Sequence, residues 1–281
     1  MRKNIEVCIT KKGAILTQIR NNSTEDINWI FLPGGPGCGS EYFNDLTQSL
    51  NVPGKVWHLD LPGSGVNRDF GQPYEIWQDI LVDAVKTLEN PVLVAHSFAG
   101  MLTLATPALK EHLNGLVLFC TSPKLYFDAC DHCAKEHYLP DIDPIIRKYF
   151  SRPSDQALKE LFIEFGSYLF PKLATSEVKD FFKNVSMQYE AFNWGNAKFY
   201  PTFETAWVPD TFPALVLSAE NDYVMPPILF KEDKRFQIKN IEMKIIPDAG
   251  HYPWMEQNES VSEAFEDFSK KVISNIKLSH A

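Results

Sequence analysis

The stretch PVLVAHSFAGMLTL, residues 91–104, joins a short apolar run to an apolar helical run with almost nothing between them. The first run predicts a buried strand and the second predicts a helix. Between them Ala95 and Ala99 flank Ser97, which is the small-x-serine-x-small spacing of a sharp strand-to-helix elbow. A larger side chain at either alanine would collide with the neighbouring strand or helix. The pattern therefore predicts a serine oxygen exposed at the carboxyl end of a strand, beside the first free N–H groups of a helix.

Strands and helices alternate on both sides of this elbow. Apolar runs bounded by turn signals predict eight strands, at 5–10, 14–20, 28–32, 55–59, 91–95, 115–120, 214–217 and 241–246. Helical spacing predicts helices after the elbow and at 41–50 (capped by Ser40), 75–88, 227–236 and 261–277. In 75–88 the buried face is expected to carry Ile76, Ile80, Leu81, Ala84, Val85 and Leu88. This alternation is typical of an α/β fold in which helices cover both faces of a mostly parallel sheet.

The segment 121–211 interrupts the alternation, because it is rich in aromatic side chains and mostly helical in its spacing. We therefore expect residues 1–120 and 212–281 to form the core, and residues 121–211 to form an inserted helical cap. Such a cap would enclose an apolar pocket and favour small acyl groups over long ones. It would also exchange its amide hydrogens faster than the strands at 92–95 and 115–120.

Two further polar side chains follow predicted strands. Asp222 comes after the strand at 214–217, and His251 lies in the loop after the strand at 241–246. Because the carboxyl ends of parallel strands meet at one edge of a sheet, these residues can converge on Ser97 although they are distant in the chain. The order serine, acid, histidine is one of the known orders of a catalytic triad.

Three loop motifs complete the pattern. The run GGPG at 34–37 resembles the His-Gly-Gly-Pro-Gly loop of α/β-hydrolases in their capped, proline-iminopeptidase-like branch, although Pro33 replaces the histidine. The run DLPGSG at 60–65 resembles that branch's Asp-x-Pro-Gly-x-Gly turn, and AGH at 249–251 resembles its histidine loop. The resemblance extends along the whole chain and implies the α/β-hydrolase fold, an eight-stranded, mostly parallel sheet with an inserted cap.

In such a site each triad member has a distinct role. Ser97 would be the nucleophile, and His251 would be the base that removes its proton. Asp222 would fix the histidine tautomer and stabilise the imidazolium formed in the transition state. Asp248, three residues before His251, competes for the acid role, and Glu220 is a third choice. Asp222 is preferred, because Asp248 follows the last strand of the sheet.

The developing oxyanion needs donors that are already in place. The backbone N–H groups of Phe98, next to the nucleophile, and of Gly35, in the loop after the third strand, are the candidates. Losing one such donor typically costs about 3 kcal/mol. Glycine at 34 and 35 lets the backbone approach the substrate without a Cβ in the way, so Gly34 is expected to contact the substrate as well.

Other reactive residues near these motifs have structural interpretations. His96 adjoins the nucleophile, but an elbow directs adjacent side chains away from each other. Asp60 is expected to support its turn through hydrogen bonds, and Cys38 is expected to be a small packing residue. The run CDHC at 130–133 with His137 superficially suggests zinc. A structural zinc site needs four well-spaced ligands, so we predict neither metal nor cofactor.

Composition argues against several other classes of protein. The net charge is −9 and no basic stripe is visible, which disfavours nucleic acids and anionic membranes as partners. No apolar run approaches transmembrane length, and residues 1–10 lack the apolar region of a signal peptide. Five cysteines are an odd number for a disulfide framework, so we expect reduced thiols and a cytoplasmic location.

These features predict a serine hydrolase that cleaves an ester or amide bond of a small molecule or short peptide through an acyl-enzyme. The resemblance to the proline-iminopeptidase-like branch implies that the enzyme is an aminopeptidase of the proline iminopeptidase type. Such an enzyme binds a free ammonium group through buried carboxylates, for which Glu164 and Glu190 are candidates. The residues expected to bind the substrate are Gly34, Glu190 and Trp194.

Two alternatives stay open. Pro33, Ala95 and Ala99 depart from the peptidase pattern, and an aromatic cap suits a small apolar ester equally well, so a carboxylesterase is the first alternative. The second is a protein of the same fold that binds a ligand without turning it over, because a fold does not determine a function.

Overall fold

The predicted strands form one sheet in the computed structural model, which describes residues 6–22, 25–71 and 73–279. Its eight strands in this part of the chain are β1 (Val7–Ile9), β2 (Ile15–Asn22), β3 (Asn28–Leu32), β4 (Gly54–Asp60), β5 (Pro91–His96), β6 (Gly115–Phe119), β7 (Ala214–Ala219) and β8 (Ile241–Ile246). They lie in the order β1-β2-β4-β3-β5-β6-β7-β8. Only the pairings of β2, with β1 and with β4, are antiparallel. The predicted α/β fold with a mostly parallel eight-stranded sheet is confirmed.

Eleven α-helices flank and cap this sheet within the described residues. They are α1 (Asn44–Ser49), α2 (Trp77–Val85), α3 (Phe98–Leu104), α4 (Phe127–Glu136), α5 (Asp143–Ser151), α6 (Asp155–Glu164), α7 (Gly166–Leu169), α8 (Thr175–Lys183), α9 (Tyr189–Trp194), α10 (Ile228–Lys231) and α11 (Asn258–Ser279). Strands β3, β5, β6 and β7 are buried along their whole length, as expected for strands covered on both faces. None of the helices in the described residues is both long and apolar enough to cross a bilayer.

Some predicted element boundaries differ from the structure, and each difference has a local cause. Ser40 does not cap a helix. It begins a short 3-10 helix, Ser40–Phe43, and its hydroxyl donates to Asp60 instead. Ile76 is 48% exposed, because it ends a 3-10 turn before α2 and so leaves the angular spacing of that helix. The start of the first predicted strand, at residue 5, lies outside the described residues.

The chain between β6 and β7 contains the helices α4 to α9. Backbone hydrogen bonds join its second half to the core. They run from His251 N to Leu169 O (2.8 Å), from Gly39 N to Ser186 O (2.9 Å), from Gln188 N to Gly37 O (3.0 Å) and from Ala206 N to Leu104 O (2.9 Å). Among the described residues, the first half, residues 127–164, makes no backbone hydrogen bond to the core. An exposed ion pair between Arg68 and Asp155 joins it to the core (2.9 Å).

Candidate active site

The predicted elbow is a sharp turn in the structure. Strand β5 ends at His96, Ser97 has φ 57° and ψ −127°, and α3 begins at the next residue. A positive φ is uncommon for a residue other than glycine, and such strain collects at functional sites. Two hydrogen bonds hold the turn, from Ser97 N to Phe119 O (3.0 Å) and from Thr121 Oγ1 to Ser97 O (2.6 Å).

The structure brings Ser97, His251 and Asp222 together. Ser97 Oγ lies 2.8 Å from His251 Nε2, and His251 Nδ1 lies 2.8 Å from Asp222 Oδ2. The second carboxylate oxygen, Oδ1, accepts the N–H groups of Val224 (3.0 Å) and Met225 (2.8 Å), which fixes the carboxylate plane. All three side chains are buried, and Ser97 is the most exposed of them at 9%. A histidine arranged in this way can accept the serine proton while the carboxylate stabilises the charge that it gains.

The two other acids considered for this role face elsewhere. The Asp248 carboxylate is 65% exposed and forms an ion pair with Lys172 (2.9 Å). The backbone N–H of Asp248 donates to the Glu220 carboxylate (3.0 Å), so this hydrogen bond joins the two residues at the surface. Of the three candidate acids, only Asp222 bonds to His251.

The two candidate oxyanion donors lie beside the serine and are unoccupied. Within the described part of the chain, neither the Gly35 N–H nor the Phe98 N–H donates to a protein acceptor. Phe98 is the first residue of α3, whose leading N–H groups have no partner inside the helix. Gly35 lies on the wall of the cavity that contains Ser97 and His251. The arrangement therefore leaves two free donors near the serine oxygen.

Gly34 packs against the elbow. It does not line the cavity, and its N–H donates to Tyr42 Oη (2.6 Å). A Cβ at this position would lie 2.7 Å from Ser97 Cβ and 2.8 Å from His96 O. Glycine is therefore needed because the loop packs directly against the elbow. The substrate contact of Gly34 stays a prediction.

The serine opens on an apolar cavity of about 260 Å³. Most of its wall comes from the helices between β6 and β7. The phenylalanine and tyrosine rings that line it are Tyr252 and, from this segment, Tyr126, Phe127, Phe150, Phe162, Phe165 and Phe192. The aromatic content of this segment predicts an apolar pocket, but it does not predict which rings face the serine, because that depends on how the short helices pack.

Glu190 and Trp194 are not among the residues that line this cavity. That they bind the substrate stays a prediction. Residues four apart on a helix share a face, and Glu190 and Trp194 therefore face away from Phe192 and Asn196, which do line it. Trp194 packs instead against Trp77, with ring centroids 5.5 Å apart. The other candidate carboxylate, Glu164, also lies outside the cavity, where it pairs with Lys148 (3.3 Å).

The residues interpreted as structural are all engaged or buried. The Asp60 carboxylate accepts the N–H (2.9 Å) and the hydroxyl (2.8 Å) of Ser40, and burial raises its pKa to about 7. Burial also raises the pKa of the Cys38 thiol, which keeps it protonated. In the described residues, no group of three or more histidine, cysteine or acidic side chains is arranged to hold a metal.

A comparison with known protein families shows to which family the chain belongs. The sequence pattern of the alpha/beta hydrolase family matches residues 29–264, most of the chain. The chain belongs to the alpha/beta hydrolase family. The resemblance seen in the loop motifs is thereby confirmed.

This alpha/beta hydrolase is similar in sequence to curated esterases and similar in structure to several solved hydrolases. Pimeloyl-[acyl-carrier protein] methyl ester esterases of Shewanella species are 27% identical over 125 residues, which are 44% of this chain and 44% of the relatives. The chain thus matches less than half the length of these curated relatives. A proline iminopeptidase-related protein of Thermus thermophilus superimposes with a TM-score of 0.71 at 19% identity, over 98% of this chain and all of that one. An esterase of Thermogutta terrifontis superimposes with a TM-score of 0.66 at 20% identity, over 96% and 99% of the two chains. At these identities the solved structures share the fold.

Proposed function

We propose that the protein is a serine hydrolase that cleaves esters of small apolar acyl groups through an acyl-enzyme. The observation that carries the proposal is the hydrogen-bonded chain Ser97–His251–Asp222 at the floor of an apolar cavity. A site that only binds a ligand needs no serine in a strained backbone conformation with a base hydrogen-bonded to its hydroxyl. It also needs no free N–H donors beside that hydroxyl. Enzyme is therefore favoured over a ligand-binding protein.

The reaction follows from the positions of these groups. His251 Nε2 takes the hydroxyl proton as Ser97 Oγ attacks the ester carbonyl carbon, and the carbonyl oxygen gains the negative charge. The N–H groups of Gly35 and Phe98 stabilise that charge. The C–O bond to the alcohol then breaks, His251 returns the proton to the leaving oxygen, and water repeats the sequence to release the acid.

The cavity favours an ester over a peptide N-terminus. An aminopeptidase has to hold an ammonium group, and neither Glu164 nor Glu190 reaches the cavity. Two carboxylates, Asp131 and Asp143, do border it, but both are exposed, and Asp143 already lies 3.6 Å from Arg147. A volume of about 260 Å³ is small among ligand pockets, which suits a short acyl or aryl group.

A substrate panel tests this proposal. We expect p-nitrophenyl esters of two- to six-carbon acids to be hydrolysed, with kcat/KM falling about tenfold or more by twelve carbons. The reason is that a longer chain exceeds the apolar volume. Its extra methylenes stay in water without the gain of about 0.8 kcal/mol that burial gives each of them, and their bulk against the cavity wall displaces the ester from Ser97. Prolyl-naphthylamide should be hydrolysed at least about a hundredfold more slowly than the best ester, since a desolvated ammonium would lack a buried partner.

The panel has outcomes that contradict the proposal. Faster cleavage of the prolyl amide would indicate the aminopeptidase, with Asp131 or Asp143 as the ammonium partner. A rate that keeps rising with acyl length would exclude a closed pocket. Binding of the esters without turnover would indicate the ligand-binding alternative.

We also propose that residues 1–120 and 212–281 form the catalytic core and that residues 121–211 form its cap, with the moving lid in the first half of the cap. Residues 127–164 supply Phe127, Ile146, Phe150 and Phe162 to the cavity wall, yet within the part of the chain that the structure describes they make no backbone hydrogen bond to the core. We expect their amides to exchange hydrogen faster than those of 186–200, because local opening costs least where few bonds cross to the core. Hydrogen-exchange mass spectrometry measures this. Equal or slower exchange across 127–164 would place the lid elsewhere.

A further inference from the structure

A chain of buried hydrogen bonds runs behind the reacting serine and connects the two loops on either side of it. Gly34 N lies 2.6 Å from Tyr42 Oη, and Tyr42 Oη lies 2.8 Å from His96 Nδ1. The other ring nitrogen, His96 Nε2, lies 2.9 Å from the backbone carbonyl oxygen of His251. Tyr42 is 3% exposed and His96 is fully buried. Neither side chain lines the cavity, so neither can touch a substrate bound there.

The chemistry of the partners fixes the direction of every bond in this chain. A carbonyl oxygen only accepts, so His96 Nε2 carries the proton that it donates to His251. Burial lowers the pKa of His96 well below its usual range, which leaves the ring neutral and Nδ1 free to accept. The Tyr42 hydroxyl therefore donates to Nδ1, and its oxygen accepts the N–H of Gly34. Each buried polar atom has a partner, and the low surrounding polarity strengthens all three bonds.

At one end this row of hydrogen bonds sets the direction of the Gly35 N–H, a candidate oxyanion donor. The Gly34 carbonyl accepts the N–H of Cys38 (3.2 Å), while Tyr42 holds the Gly34 N–H, so Gly34 is held on both sides. The peptide bond from Gly34 to Gly35 is trans, which directs its N–H opposite to its carbonyl. The Gly35 N–H therefore points away from Cys38, and Gly35 itself lies on the cavity wall.

At the other end this row of hydrogen bonds holds the backbone of His251. The carbonyl of His251 accepts from His96, and its N–H donates to the Leu169 carbonyl (2.8 Å). The imidazole of His251 can then keep its position between Ser97 and Asp222 without relying on those two bonds alone.

We propose that Tyr42 and His96 are positioning residues, which hold the Gly35 oxyanion donor and the catalytic histidine at a fixed separation around Ser97. The proposal rests on the serine hydrolase function proposed above. Electrostatic stabilisation of an oxyanion depends on donors that are already aimed before the reaction, and a small displacement of one donor loses much of it.

Tyr42→Phe tests the proposal, because it keeps the ring and removes only the hydroxyl. We expect kcat for the best p-nitrophenyl ester to fall about ten- to a hundredfold, with KM changed by less than about twofold. This is less than the hundred- to thousandfold typical for complete loss of one oxyanion donor, because the Gly35 N–H would be tilted and not deleted. Affinity for a trifluoromethyl ketone, which forms an oxyanion on Ser97, should fall by a similar factor, and affinity for the product carboxylic acid should not.

Tyr168→Phe is the matched control. The Tyr168 hydroxyl donates to the Pro140 carbonyl at 2.8 Å, so this variant loses a phenolic hydrogen bond of the same length away from the cavity. Its kcat should stay within about twofold of wild type. Thermal melts of both variants separate a loss of folded protein from a loss of rate. Equal rate losses in the two variants, or a Tyr42→Phe effect that falls on KM alone, would overturn the positioning role.

A second substitution checks that the two residues act as one unit. In His96→Gln the ring is lost while a donor toward the His251 carbonyl remains. The double variant with Tyr42→Phe should be about as slow as the slower single variant, since both cut the same chain. Fully additive losses in kcat would mean that Tyr42 and His96 act separately, which would contradict the proposal that they act through one row of hydrogen bonds. Failure of the underlying function gives a different result, because the wild-type protein would then neither hydrolyse the ester nor bind the ketone.

Discussion

Replacing Ser97 by alanine should abolish hydrolysis while the protein stays folded. The Oγ that lies 2.8 Å from His251 Nε2 is the only proposed nucleophile, and members of a triad act as a unit. We expect kcat for the best ester to fall on the order of 10⁴-fold or more. A fluorophosphonate, which forms a covalent bond to an activated serine oxygen, should label the wild-type protein and not the variant. Initial rates and mass spectrometry of the labelled protein measure both effects.

Ser122→Ala is the matched control for this variant. Ser122 is also a buried serine, and its hydroxyl donates to the Lys124 carbonyl rather than to a base. Its activity and labelling should remain within about twofold of wild type. Retention of more than about a tenth of the activity in Ser97→Ala would reject Ser97 as the nucleophile. Labelling that persists in that variant would point to another reactive side chain.

Replacing Asp222 by asparagine should lower kcat on the order of 10³- to 10⁴-fold. Two backbone N–H groups point at Oδ1, so the amide oxygen of asparagine would take that place and its NH₂ would face His251 Nδ1. A donor at that position forces the ring proton onto Nε2, where it blocks acceptance of the serine proton. The geometry of the site is kept while the tautomer becomes the wrong one. The rate of ester hydrolysis at saturating substrate measures the loss.

Asp248→Asn provides the comparison for this prediction. The substitution weakens an exposed ion pair with Lys172, which contributes at most about 1 kcal/mol to stability. Hydrolysis should therefore be nearly unchanged. If Asp248→Asn proved the more damaging of the two, the acid of the site would have to be reassigned. Loss of activity in Asp222→Asn together with unfolding would indicate a structural role for its two backbone hydrogen bonds.

The proposed catalytic groups could be located from the sequence because each one follows a predicted strand in a local motif. Ser97 sits between two alanines after a strand, and Asp222 and His251 come directly after strands of the same sheet. In a parallel sheet those ends share one edge, so local pattern and topology agree on where the side chains meet. The predicted strand boundaries at 28–32 match the structure, since a strand buried along its whole length reads as a mainly apolar run. The boundaries at 241–246 match as well, in a half-buried strand at the edge of the sheet.

The tertiary structure alone decided what surrounds these groups. Whether Glu190 or Phe192 faces the serine depends on a rotation of α9 that sets neighbours on opposite faces, and its partner helices determine that rotation. The hydrogen bond from Tyr42 to His96 joins residues separated by 54 positions, and neither residue belongs to a motif that predicts the other. The sequence by itself determined the fold and the candidate reacting side chains, because strand ends and elbow are encoded locally. The pocket wall and the buried chain behind the serine arise from packing between distant segments, which no local pattern specifies.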